Sequence, residues 1–206
     1  MQNILLGTRN PGKLREYYDL LEEMDSSLKI RLLDPVEAGM EFGVEEVGES
    51  YLENATLKAL TYSQTSGLLT LADDSGLEVD ALGGRPGIFS ARFAPQPAAT
   101  DADRRRHLLD LLKEHRPPWS ARFRCVVVIA SGDEILFTSE GECRGEITAA
   151  ERGEYGFGYD PIFLVEGYGR TMAELDTAVK NQISHRARAV APARDFLLRY
   201  LPGSGL

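Results

Sequence analysis

Gly7-Thr8-Arg9-Asn10-Pro11-Gly12-Lys13 has the G-x-x-x-x-G-K spacing of a phosphate-binding loop. Such a loop carries a Ser or Thr next, whose hydroxyl reaches a magnesium ion. Here Leu14 stands in that place, and Pro11 removes one backbone N–H from the cradle. A P-loop kinase or GTPase is therefore disfavoured. The physical content survives: a strand-to-helix turn with free N–H groups, a Thr, an Asn and a Lys can grip phosphate. An ordinary turn with a solvated lysine is the competing reading. Asp73-Asp74 follows an apolar run and precedes Ser75-Gly76. Carboxylates at a strand end suit Mg2+, a hard cation that prefers oxygen ligands, and one of them can deprotonate a water held nearby. Neighbouring residues on a strand point to opposite faces, so one of the two faces a given site. Glu45-Glu46 supplies a second acidic pair. A turn or cap for the first pair and a solvated loop for the second remain the plainer alternatives.

A third stretch, Gly156-Phe157-Gly158-Tyr159-Asp160-Pro161, joins glycines that permit close backbone approach to aromatic faces that can stack on a flat ring. Further on, Lys180 and Ser184-His185-Arg186 place cations and donors near a helix start, where they suit phosphate or a base carbonyl. No serine sits in a G-x-S-x-G elbow, so a Ser-His hydrolase is not indicated.

These groups must be held by regular elements, and the patterning supplies them. Ile4 to Thr8 reads as a buried strand, followed by a helix with Leu14, Tyr17, Leu21 and Met24 near one face. Ile30 to Leu33 is a second strand. Ser50-Tyr51-Leu52-Glu53 is a capping-box pattern, and Gly67 is a natural stop for the helix it opens. Leu68 to Ala72 reads as a buried strand, ending at Asp73-Asp74-Ser75-Gly76. A helix spans about Asp101 to Glu114 with Thr100 as cap, and Phe123 to Ala130 and Glu134 to Glu142 form a hairpin. The last helix runs from Ser184 toward Tyr200, and Pro192 should kink or shorten it. Helices and strands alternate early and strands cluster later, which gives an α/β fold with a mixed sheet.

The chain has 206 residues, 23 Lys plus Arg, 32 Asp plus Glu and a net charge of −9, a balance that disfavours polymeric nucleic acid and anionic membranes as partners. No apolar run is long enough to span a bilayer, and no secretory pattern opens the sequence. The two cysteines, Cys125 and Cys143, build neither a disulfide framework nor a Cys-x-x-Cys metal site, so a reducing cytoplasmic setting is the default.

Taken together, the segments resemble the inosine triphosphate pyrophosphatases, the HAM1-like family, in its bacterial branch. The stretches that carry the resemblance are Thr8-x-Asn10-x-x-Lys13, Glu53-Asn54-Ala55 with Lys58-Ala59, Ala72-Asp73-Asp74-Ser75-Gly76-Leu77, Leu82 through Phe93, Gly156 through Phe163, and Ile183-Ser184-His185-Arg186, in family order across nearly the whole chain. The resemblance implies one domain over residues 1–206, elongated and two-lobed, with a long mixed sheet flanked by helices and a nucleotide cleft between the lobes. It implies a homodimer. It implies hydrolysis of ITP, dITP or XTP at the α–β bond to a monophosphate and pyrophosphate, which clears deaminated purines from the nucleotide pool.

By the same resemblance Thr8, Arg9, Asn10, Pro11, Gly12 and Lys13 would hold the triphosphate, with Asn10 and Lys13 as the main side-chain contacts. Glu46 and Asp74 would ligate Mg2+, and Asp74 would accept the proton of the attacking water. Ser75 would touch substrate, Phe157 would stack on the purine, and Gly158, Tyr159 and Asp160 would shape that pocket. Lys180, His185 and Arg186 would complete the phosphate and base contacts. The chemistry fits, because phosphoryl transfer is mostly positioning and charge stabilisation. The 6-oxo group of inosine and xanthine accepts a hydrogen bond where adenine's amino group donates one, so N–H donors at that edge would reject adenine. Alternatives are a P-loop-like nucleotide kinase and a nucleotide-binding regulator without turnover; the acids at Glu46 and Asp74 count against the regulator. Charge is also distributed suitably: seven acids and no Lys or Arg lie in Asp34 to Asn54, whereas residues 170–200 carry six Lys or Arg against three acids.

Overall fold

Apolar alternation at the start of the chain sets the sheet. In β1 (Gln2–Leu6), Ile4 and Leu6 face one side and Leu5 the other, and all three are fully buried. A strand buried on both faces belongs inside a sheet with parallel neighbours. β1 accordingly runs parallel to β2 (Ile30–Leu33) on one side and to β3 (Leu69–Val79) on the other. The computed structural model describes residues 2–28 and 30–201, the side chains of residues 22–28 excepted, so Met24 of the expected buried helix face lies outside the described set. β4 (Trp119–Ser131), β5 (Glu134–Ile147) and β6 (Phe163–Val165) complete a six-stranded sheet in the order β2-β1-β3-β4-β5-β6, with β5 and β6 antiparallel. The sheet is therefore mixed, as the sequence pattern indicates.

The helices are α1 (Pro11–Leu28), α2 (Tyr51–Ser66), α3 (Asp101–Leu112), α4 (Thr177–Ile183) and α5 (His185–Tyr200). Ser50 caps α2 by accepting the Glu53 N–H at 3.2 Å, but the Glu53 carboxylate turns to the Glu49 N–H at 2.8 Å, so the box closes one residue early. Gly67, in the left-handed region, ends the helix as expected. Thr100 and Asp103 form a complete capping box on α3.

Three expectations are corrected. β3 does not end at Asp73-Asp74-Ser75-Gly76; it runs through that stretch to Val79, because Leu77 and Val79 continue the buried alternation. β4 and β5 are longer than the expected hairpin strands. Pro192 does not shorten the last helix, which continues to Tyr200. Ala189, Val190, Ala193 and Leu197 are buried on either side of the proline, and that packing offsets the lost N–H bond.

The chain divides into two compact units. The first comprises Met1–Asp74, Cys125–Gly141 and Arg186–Leu206. Its core brings Ile4, Leu6, Tyr17, Leu21, Val127, Ile129 and the buried face of α5 together, with Leu5, Leu33, Met40 and Tyr62 as a second cluster. The second unit comprises Ser75–Arg124 and Glu142–His185, with a core of Leu77, Val79, Leu108, Leu112, Phe123, Ile162, Phe163 and Met172.

Candidate active site

In the first unit the β1–α1 turn is shaped by its own side chains. Thr8 Oγ1 accepts the Asn10 N–H at 3.2 Å. Asn10 Oδ1 accepts the N–H groups of Gly12 at 2.8 Å and Lys13 at 3.1 Å, which makes Asn10 the cap of α1 with Pro11 at its first position. The N–H groups expected to be free for phosphate are thus engaged by Asn10, and the turn is a preset cap with cationic and amide side chains around it. Arg9 donates to the Glu41 carbonyl at 2.7 Å. Lys13 reaches back to Asp73, Nζ to Oδ2 at 2.9 Å.

Asp73 and Asp74 point to opposite faces of β3, as alternation requires. Asp73 is fully buried, and its Oδ2 meets Lys13 and Arg186 Nη2, the latter at 3.2 Å. Burial would raise its pKa, but Lys13, Arg186 and Lys58 outweigh that and hold the carboxyl well below the usual range. Asp74, also buried, accepts from Asn54 Nδ2 at 3.0 Å, and Lys58 Nζ lies 3.8 Å from its Oδ1. Burial pushes the Asp74 pKa up, and the attraction of Lys58 and Lys13 only partly opposes it. Lys58 Nζ also meets Glu46 Oε1 at 2.5 Å. Glu46, and not its exposed neighbour Glu45, is the glutamate turned into this cluster. Burial would lower the Lys58 pKa, but Asp73, Asp74 and Glu46 raise it. Arg186 is only 1% exposed; its guanidinium pairs with Glu16 and Asp73 and lies 5.8 Å from the centre of the Tyr17 ring.

In the second unit the aromatic loop is built around Asp160. Its Oδ2 accepts the Phe157 N–H at 3.0 Å and Lys180 Nζ at 2.7 Å. The same ammonium lies 5.5 Å from the Phe157 ring centre. Gly156 has φ +79°, and a Cβ there would sit 2.0 Å from Asp160 Oδ2, so only glycine fits. Tyr159 is buried and its hydroxyl donates to the Ser90 carbonyl at 3.0 Å. Phe157 and Gly158 are half-buried, and so is Ser75 at the start of this unit. His185 is buried with its ring stacked on Phe123, 4.7 Å between centres.

The expected residues thus fall into two sets. Lys13, Glu46, Asp74 and Arg186, joined through Asp73 and Lys58, form a charged constellation in the first unit, with Asn10 capping the helix that carries Lys13, while Phe157, Gly158, Tyr159, Asp160 and Lys180 form a ring-and-cation loop in the second. Sequence reading assigned no role to Asn54 or Lys58, although both lie in a quoted motif. It likewise gives no role to Ser90, inside a quoted motif, to Asp101, taken only as a helix start, or to Glu16 and Arg105, since their partners are remote in the chain.

The fit of a divalent ion can be judged from Lys58. Two carboxylates from separate elements converge on its ammonium, a cation of one charge holding two anions. The remaining negative charge and the oxygen donor set suit a hard divalent ion. Among the described residues no group of three or more His, Cys, Asp or Glu forms a ready-made metal cage, so water and substrate phosphate would supply the other ligands. No helix among the described residues is long and apolar enough to cross a membrane.

A sequence model described as the Ham1 family matches residues 4–196. The chain is 43% identical over 190 residues to the dITP/XTP pyrophosphatase of Bacillus licheniformis, covering 92% of this chain and 95% of that protein. It is 40% identical over 190 residues to the dITP/XTP pyrophosphatase of Bacillus subtilis, covering 92% and 94%. Among solved structures, a HAM1 protein from Coxiella burnetii superposes with a TM-score of 0.85 at 39% identity, covering 97% of this chain and 100% of that one. The Staphylococcus aureus Ham1 protein gives 0.81 at 36% identity, covering 95% and 98%.

Proposed function

The chain belongs to the Ham1 family, and from that premise we propose that it hydrolyses dITP, ITP and XTP at the α–β phosphate bond, releasing a nucleoside monophosphate and pyrophosphate. The observation that carries the reading is the convergence of Asp74 and Glu46 on Lys58, with burial holding the Asp74 pKa above the usual carboxylate value.

In this reading Thr8 through Lys13 hold the triphosphate, Asn10 setting the turn and Lys13 carrying the charge. Glu46 and Asp74 hold Mg2+, which when bound supplies positive charge to phosphate oxygens and lowers the pKa of nearby water. Asp74 Oδ1 or Oδ2 accepts the proton of the water attacking the α-phosphorus, and the Asn54 amide keeps that carboxylate oriented. Asp73, held ionised by its cations, fixes Lys13 rather than moving protons. Phe157 stacks on the purine, and Lys180, locked by Asp160, lends its charge to that ring. Ser75 and His185 line the substrate. Arg186 acts chiefly by bracing Asp73. Mg2+ as the metal, a homodimer as the assembly, the cytoplasm as the compartment and residues 1–206 as one catalytic domain belong to the same proposal and rest on the resemblance.

The test is incubation with ITP, dITP, XTP, ATP and GTP, with Mg2+ and with a chelator. Pyrophosphate as first product, from the 6-oxo substrates and only with metal, is expected. Orthophosphate as first product, or no turnover, overturns the reading in favour of another phosphohydrolase or a binding protein.

A further inference from the structure

The aromatic loop is held by a helix outside every motif. Asp101 and Arg105 lie four residues apart on α3, hence on one face. Asp101 Oδ2 accepts the Gly158 N–H at 2.8 Å, and Arg105 Nη1 donates to the Gly158 carbonyl at 2.7 Å. Both backbone groups of a single glycine are thus fixed by a pair of opposite charges. Each charge is itself braced: Arg104 pairs with Oδ1 of Asp101 and donates to the Ala99 carbonyl at 2.6 Å, and Arg105 Nη2 pairs with Glu151 at 2.8 Å. Burial would raise the Asp101 pKa, but the Gly158 N–H and Arg104 outweigh it, so the acceptor stays ionised and the bond charge-assisted. Asp101 is not needed to cap α3, because Thr100 and Asp103 do that.

Gly158 adopts φ +62°, a conformation from which a glycine's flanking peptides flip readily. A flip exchanges the directions of N–H and C=O, because each peptide is planar. Pinning the Gly158 N–H fixes the Phe157 carbonyl, which accepts from the Asp160 N–H at 3.2 Å, and pinning the Gly158 carbonyl fixes the Tyr159 N–H on the far side of the next peptide. Peptide direction matters for a purine whose 6-position is an acceptor in inosine and a donor in adenine. We propose that Asp101 and Arg105 are positioning residues for base selection: together they lock the peptides flanking Gly158 so that the loop presents the Tyr159 N–H, as a donor, to a 6-oxo purine. This rests on the function proposed above.

The experiment compares wild type with Asp101→Ala, Asp101→Asn, Arg105→Met and Arg105→Lys. It measures kcat and KM for ITP and for ATP, and inhibition by inorganic tripolyphosphate, which has the phosphates and no base. The ratio of kcat/KM for ITP over ATP falls about tenfold in Asp101→Ala and Arg105→Met, the scale of a lost charge-assisted hydrogen bond. Asp101→Asn and Arg105→Lys, which retain an acceptor and a donor, fall between, and tripolyphosphate inhibits all five proteins equally. An unchanged ITP/ATP ratio overturns the clamp while leaving the proposed function intact. Equal losses toward ITP, ATP and tripolyphosphate also overturn it, by showing a general structural role. Wild-type protein inactive on ITP overturns the proposed function and the clamp's place in it together.

Discussion

Asp73 and Asp74 are consecutive residues of one strand with opposite electrostatic fates. Asp73 Oδ2 is gripped by Lys13 at 2.9 Å and by Arg186, and its carboxyl is held well below the usual range. Asp74 has an amide and a more distant ammonium, and burial raises its pKa. A carboxylate that cannot be protonated in the working range is a poor base, whereas one moved upward is a better one. In the proposed mechanism the strand's alternation therefore separates a scaffold acid from the acid that takes the proton.

Asp74→Asn keeps the Asn54 contact in shape and removes the proton acceptor. Turnover of ITP falls by about 100-fold or more, the usual scale of a general base. Nucleotide binding, followed by fluorescence or calorimetry, persists. A variant with wild-type rates sinks the role.

Lys58→Met removes the cation that partly lowers the Asp74 pKa. The acid limb of the kcat/KM profile then moves to higher pH, since a base with a higher pKa becomes protonated earlier as pH falls. A limb that stays put, or moves toward acid, would show that Asp74 does not set it.

Asp73→Asn leaves Lys13 without its buried ion pair and Arg186 with Glu16 alone, and stability falls by about 3 kcal/mol near neutrality. A folded-state pKa held below the unfolded value of about 4 contributes stability that is complete above that pH and drains away as the pH drops through the folded value. Urea midpoints of wild type and variant therefore converge in acid. A gap that persists unchanged to low pH contradicts the assignment.

Phe157→Ala removes a stacking face worth about 1–3 kcal/mol per base. KM for ITP rises about tenfold, and inhibition by tripolyphosphate is unaffected, because the ring touches no phosphate. Loss of tripolyphosphate inhibition would move Phe157 out of the base site.

Local patterns were readable where one segment carries its own partner. The turn at Thr8 to Lys13, the Ser50 and Thr100 caps and the Asp160-centred loop all close within a few residues. Ser75-Gly76 read as a strand terminus because both favour turns, yet burial of Leu77 and Val79 carries β3 onward. Pro192 does not shorten α5 for the same reason: a local rule is overridden by packing. The bonds from Lys58 to Glu46 and from Asp101 to Gly158 join residues 12 and 57 positions apart. Nothing in local residue order encodes such pairs, since they exist only once the sheet has brought the elements together.

The first unit is assembled from three separated stretches, the last of which begins at Arg186, whereas the second unit is complete by His185. During synthesis the Asp73 carboxylate must therefore wait, without its arginine, until α5 has left the ribosome. The second unit needs nothing further from the nascent chain by then. Loss of the last helix would remove Arg186 itself and so strike Asp73 and Lys13, encoded far upstream, before it touched the loop that carries Phe157.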